Sequence, residues 1–156
     1  MITAEFGDII FFKPITVKSR LISFFDKGAW SHVALVLGMY ENRILFVESH
    51  WQGVRVGLLV EDLQNFSIQK TSKKIKQTKQ EILSFVGKKY DFKHLFFMGM
   101  FLMSHRLIPL PKTDEEKFIC SELVNWAYGY TLSKKGKATP NTIWNWVQKQ
   151  KENKNS

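Results

Sequence analysis

An α+β fold is the class this sequence predicts, on three observations. Short Val-, Ile- and Leu-rich runs separated by turn residues fill the first half. Helical spacings dominate the second half, and strands and helices do not alternate. The length of 156 residues suits one domain with a real core. With 44% hydrophobic and 24% charged residues and only 9 Gly and 4 Pro, the composition excludes fibrous and disordered chains. A single domain is expected over residues 1–148, followed by a basic, frayed tail at 149–156.

The elements follow in order. Ile9-Ile10-Phe11-Phe12, led by Gly7-Asp8 and stopped by Lys13-Pro14, reads as a buried strand, and residues 19–25 as a short helix. Residues 31–39 and 44–50 flank the turn-like Tyr40-Glu41-Asn42-Arg43 and read as a hairpin; residues 54–59 add a strand. Ile75, Ile82, Leu83 and Val86 stand at near-helical spacing, so a helix is expected over 75–88, ending at Gly87. The run LFFMGMFLM, from Leu95 to Met103, is a buried helix, a pocket wall or a membrane-touching patch; at nine residues it falls far short of the roughly 20 that span a bilayer. Residues 118–128 form a further helix, and Thr139-Pro140 supplies an N-cap and a first-turn proline for the last one.

Charge and cysteine content narrow the function classes. The net charge is +9, concentrated in Lys70, Lys73, Lys74, Lys76 and Lys79 and in lysines near the C-terminus. No nucleic-acid motif accompanies these runs, so they read as a solvated surface and no nucleic-acid partner is expected. The first residues show neither the cationic start nor the cleavage site of a secretory signal, so a cytoplasmic setting is expected. One cysteine, Cys120, allows no intramolecular disulfide and no Cys-based metal cluster. The four histidines, His32, His50, His94 and His105, lack ligand spacing, and no metal or other cofactor is expected.

Cys120 shares a helical face with Leu123, Val124 and Ala127, which suits an inert buried thiol and equally a nucleophile delivered to the edge of a sheet. His32 opens one apolar strand and Glu48 ends the next, so both stand at the margin of a buried sheet. A thiol attacks a carbonyl efficiently when an imidazole takes its proton, and a third polar group on the other ring nitrogen fixes the tautomer. Cys120, His32 and Glu48 (or His50) supply these roles. The hairpin register is a test: a three-residue loop, Tyr40 to Asn42, pairs Met39 with Arg43, sets His32 opposite His50 and leaves Glu48 one diagonal step away. A two- or four-residue loop would place His32 and Glu48 on opposite faces.

Six motifs in sequence carry a resemblance: Gly7-Asp8-Ile9-Ile10, Ser31-His32-Val33-Ala34-Leu35-Val36-Leu37-Gly38, Val47-Glu48-Ser49, Gly87-Lys88-Lys89-Tyr90-Asp91, Ile119-Cys120-Ser121-Glu122-Leu123-Val124 and Thr139-Pro140. Over residues 6–147 the chain resembles the circularly permuted papain-like hydrolases of the NlpC superfamily, most nearly the YiiX-like amidases, which are related to lecithin–retinol acyltransferase-like enzymes. The resemblance implies a permuted papain-like fold, a small antiparallel sheet or barrel packed against helices, with the histidine strand preceding the nucleophile helix. It makes Cys120 the nucleophile, His32 the base and Glu48 the orienting residue, and puts Tyr90 near the site as a substrate or oxyanion contact. His50 and Ser121 are further candidates for such contact, and the Cys120 backbone N–H completes an oxyanion hole. The capping-box sequence Thr113-Asp114-Glu115-Glu116 would bury Cys120 two turns inside a helix; the family pattern starts the helix at the cysteine, and is preferred.

Three functions compete. The first is a cysteine amidase or peptidase cleaving a small amide, such as a peptidoglycan-type fragment, through a thioester. The second is an acyltransferase or lipid hydrolase using the same Cys-His site, with the 95–103 run, Ile108 and Leu110 lining an apolar pocket and touching a membrane peripherally. The third is a non-catalytic binding module that keeps the cleft.

Overall fold

The computed structural model describes residues 3–15, 26–59, 65–104, 107, 109–110 and 117–155. The expected helix over 19–25, the Thr113–Glu116 box, His105 and Ile108 lie outside them. The fold is α+β. Five strands, β1 (Ile9–Phe12), β2 (His32–Tyr40), β3 (Arg43–His50), β4 (Gly53–Leu59) and β5 (Phe66–Gln69), precede four helices among the described residues. These are α1 (Lys79–Leu83), α2 (Phe92–Met103), α3 (Cys120–Ala127) and α4 (Pro140–Asn155). The sheet has the order β4-β3-β2-β1-β5, and its neighbouring strands are antiparallel. None of the helices is long and apolar enough to cross a membrane.

Side-chain alternation divides the sheet into two buried faces. Ile9, Phe11, Val33, Leu35, Val47 and Val54 pack with Leu123, Val124 and Ala127 of α3 and Ile143 and Val147 of α4 in the main core. Ile10, Ala34, Val36, Ile44 and Phe46 form a second cluster. This double burial explains why the strands read as unbroken apolar runs. The sheet leaves its centre to β2, which carries His32 at its first residue.

The hairpin between β2 and β3 corrects the expected loop. Tyr40 pairs with Arg43, so the turn has two residues, Glu41 and Asn42, both at positive φ (45° and 61°), as primed hairpin turns require. That turn alone would put His32 and Glu48 on opposite faces. A bulge between Val36 and Gly38 inserts Leu37 on β2 only, so that beyond it Val36 faces Phe46 and Leu35 faces Val47. The two site residues thereby return to one side of the sheet. Gly38 itself sits at φ +147°, which L side chains rarely adopt.

Three further differences concern element boundaries. Helix α1 starts only at Lys79, where the Thr78 side chain accepts from Glu81 N–H and the Glu81 carboxylate accepts from Thr78 N–H. The preceding Lys76 and Gln77 N–H groups are held by the Ala127 carbonyl at the end of α3, at 2.9 and 3.2 Å, so the helix expected from residue 75 cannot extend backwards. Strand β5 is short and half-buried and gave no strong apolar run. At the C-terminus α4 continues to Asn155, so the segment from Lys149, expected to fray, is helical.

Candidate active site

Cys120 is the first residue of α3. The residue before it, Ile119, is extended (φ −86°, ψ 162°) and offers no side-chain cap, so the helix N-terminus faces the sulfur's surroundings without a competing side chain. The start at Cys120 is the one the motif pattern predicts. Three contacts fix this corner on the sheet. Ser49 of β3 donates from Oγ to the Phe118 carbonyl at 2.6 Å. Tyr90 and Phe118 form a parallel bridge. Asn141 in the first turn of α4 accepts from Trp30 N–H at 3.0 Å and donates to Trp30 C=O at 2.8 Å, just before β2. Ser49, and Asn141 just after the Thr139-Pro140 motif, therefore help set where β2 and α3 meet.

At that meeting point the imidazole of His32 hydrogen-bonds the Cys120 sulfur, which also accepts from the backbone N–H groups of Val33 and Ser121. On the other side His32 Nε2 lies 2.5 Å from Glu48 Oε2, which leaves Nδ1 for the sulfur. Glu48 is buried; its Oε1 accepts from Arg55 Nε and Nη2, both at 2.7 Å. Arg55 faces Glu48 across the β3–β4 hairpin. The ring of Phe12 flanks the imidazole, with centroids 5.6 Å apart.

The electrostatics favour separated charges. Burial opposes the imidazolium, but the Cys120 thiolate and then Glu48 outweigh it and raise His32 from 6.5 to about 10. Burial likewise opposes the thiolate, yet the His32 charge and hydrogen bond, with the two backbone donors, lower the Cys120 thiol. Glu48 is lowered to about 2: burial pushes it up, and His32 followed by Arg55 more than compensates. These shifts favour the thiolate and the imidazolium over the neutral pair, with the Glu48 carboxylate beside them.

The other candidates separate by position. Tyr90 lines the cleft beside Cys120; burial, then the Cys120 and Asp91 charges, push its phenol up, so it remains a proton donor. Ser121 also lines the cleft, but its hydroxyl is engaged with the Ala138 carbonyl at 2.7 Å. His50 lies close enough to Glu48 and His32 to feel their charges, but its Nδ1 has no hydrogen-bond partner among the described residues, and burial followed by the Arg55 charge lowers its pKa. Between the two alternatives for the third group, Glu48 is the one that holds His32. Among the described residues no three His, Cys, Asp or Glu side chains gather as a metal ion would need.

Sequence reading missed Arg55 and the role of Ser49. Arg55 was legible in principle: a two-residue turn at Trp51-Gln52 pairs His50 with Gly53 and hence Glu48 with Arg55. The cleft above the sulfur has a volume of about 210 Å³ and is walled by Leu95, Met98, Gly99 and Leu102 from one face of α2, by Ile119, and by Ala138 and Pro140. The adjoining face of α2, opposite the buried His94 and Phe101, leaves Phe92, Phe96 and Met103 exposed at 58%, 64% and 61%. The 95–103 run is thus both pocket wall and exposed apolar surface. No family model matches the sequence, and no curated protein does either.

Proposed function

We propose that this chain is a cysteine hydrolase of permuted papain-like fold that cleaves a small amide, as an amidase or peptidase does, through a thioester on Cys120. The observation that carries the reading is the contact between a sulfur from the second half of the chain and an imidazole from the first, with a buried carboxylate on the far ring nitrogen. The chain order, histidine strand before nucleophile helix, supports the permuted topology.

In this reading the Cys120 thiolate attacks the carbonyl carbon and its electron pair moves to the oxygen. The Cys120 backbone N–H at the start of α3 and the Tyr90 hydroxyl are the donors for that oxyanion. His32, protonated at rest, gives its proton to the departing amine as the C–N bond breaks, leaving the thioester. Neutral His32 then takes a proton from water, whose oxygen attacks the thioester; the acid leaves and the proton restores the ion pair. Glu48 keeps the imidazole in the required tautomer and orientation throughout, and Arg55 keeps Glu48 ionised.

Acyl transfer or lipid hydrolysis at the same site is the second reading. It is favoured by the apolar wall of α2 and by the exposed Phe92, Phe96 and Met103, which suit peripheral contact with a membrane. Intact-mass analysis of Cys120 after incubation with peptide-fragment and acyl-donor libraries tests both, because the adduct mass identifies the acyl group. Iodoacetamide should label Cys120 well below pH 8, and His32→Ala should slow that labelling. Full turnover in Cys120→Ser would refute the enzyme reading.

A further inference from the structure

The cleft beside Cys120 is asymmetric. On the sheet side of the sulfur stand the polar groups His32 and Glu48; on the other, Ile119 packs with Met98 and Phe101 of α2 in an apolar cluster. A leaving group must face the imidazole to receive its proton, so the acyl portion of a substrate falls toward α2. The wall there is built at helical spacing from Leu95, Met98, Gly99 and Leu102. Gly99 is the exception in that wall. It lies inside a helix, where glycine is less favourable than alanine, and a Cβ built on it meets nothing within 4 Å. Neither backbone conformation nor close packing calls for glycine at this position. What its missing side chain leaves is room in the cleft.

We infer that the α2 wall is an acyl-side specificity pocket for an apolar group slightly larger than one aromatic ring, and that Gly99 sets its depth. The size follows from volume: a cavity of about 150 Å³ admits benzene, and this cleft holds about 210 Å³. The inference rests on Cys120 being the nucleophile and adds which end of the substrate is selected, by what surface and to what length. It also bears on substrate class. A peptidoglycan-type acyl portion, rich in hydroxyl and carboxylate groups, would leave the groups turned to Leu95, Met98 and Leu102 without partners, since the polar lining of the cleft is Asp26, Ser31, His32, Tyr90, Ser121 and Thr139, whereas a medium alkanoyl or arylalkanoyl group would not.

A series of 4-nitrophenyl esters from acetyl to dodecanoyl tests it, with acylation of Cys120 followed by mass and turnover by release of nitrophenolate. The expected optimum for the wild-type chain is near hexanoyl to octanoyl. Gly99→Leu should lower the hexanoyl-to-acetyl ratio of kcat/KM by about tenfold or more, the effect of filling an apolar subsite. Gly99→Ala, which favours the helix and so guards against loss of folding, should move the optimum toward shorter chains. Acylation that falls steadily from acetyl upward, or a ratio unaffected by Gly99→Leu in a folded variant, overturns the pocket and leaves the nucleophile standing. No acylation by any ester, together with iodoacetamide labelling no faster than that of an ordinary thiol, overturns both.

Discussion

Each member of the Cys120–His32–Glu48–Arg55 chain sets the charge of the next, and the consequences are measurable residue by residue. Because His32 is raised to about 10 and the Cys120 thiol is lowered, the charged pair is favoured between those limits. Labelling and turnover should rise as pH climbs through the depressed thiol pKa, and turnover should fall again as His32 deprotonates near 10. Glu48→Gln removes a charge that supports the imidazolium, so the alkaline limb should move to lower pH while activity falls less than in His32→Ala. Tyr90→Phe removes a donor from the proposed oxyanion site, and a loss of about 10²-fold in kcat with little change in KM is expected. For stability the sign is fixed by Glu48: its folded pKa of about 2 lies below the ordinary 4.5, so its contribution is present above pH 4.5 and disappears as pH falls toward 2. Arg55→Ala should bring acid unfolding to higher pH. Since the Arg55 side chain is 48% exposed, screening limits the loss at neutral pH to about 1 kcal/mol or less, readable by urea titration.

The elements show what a sequence can and cannot reveal about such a site. The strands carrying His32 and Glu48 were legible because both faces of the sheet are buried, which writes β2 and β3 as continuous apolar runs. The start of α3 at Cys120 was expected from the resemblance alone, against the local capping-box signal at Thr113-Asp114-Glu115-Glu116. The hairpin was harder. Its two-residue turn and the Leu37 bulge each shift the pairing by one, and neither alone gives the observed site; apolar residues on both faces of β2 leave no alternation from which a bulge could be read. Helix α1 was overextended because apolar spacing continues through Ile75 although hydrogen bonds from Lys76 and Gln77 go to α3. Gly38→Val tests the bulge: a β-branched residue forced to φ near +147° should cost about 1–3 kcal/mol and weaken His32–Glu48 coupling, seen as a lower alkaline limit for turnover. Deleting Leu37 should abolish turnover, and adding one residue to the Glu41-Asn42 turn should do the same. Made together, the two changes should restore the facing of His32 and Glu48 and part of the activity.

At the scale of the whole molecule, the sheet carries His32 and Glu48 and the helices carry Cys120, and one core joins them through Leu123, Val124 and Ile143. Leu123 is fully buried, so Leu123→Ala should cost about 2–5 kcal/mol. Activity and tryptophan fluorescence should then be lost in a single denaturant transition, since no part of the site survives separation of the sheet from α3. The order of the two halves has a further result during synthesis. His32 and Glu48 leave the ribosome well before Cys120, and the sulfur acquires its thiolate character only when α3 docks beside Val33 and His32. A nascent or truncated polypeptide therefore carries either no thiol or an ordinary one, and the environment that lowers the Cys120 thiol is complete only in the finished fold.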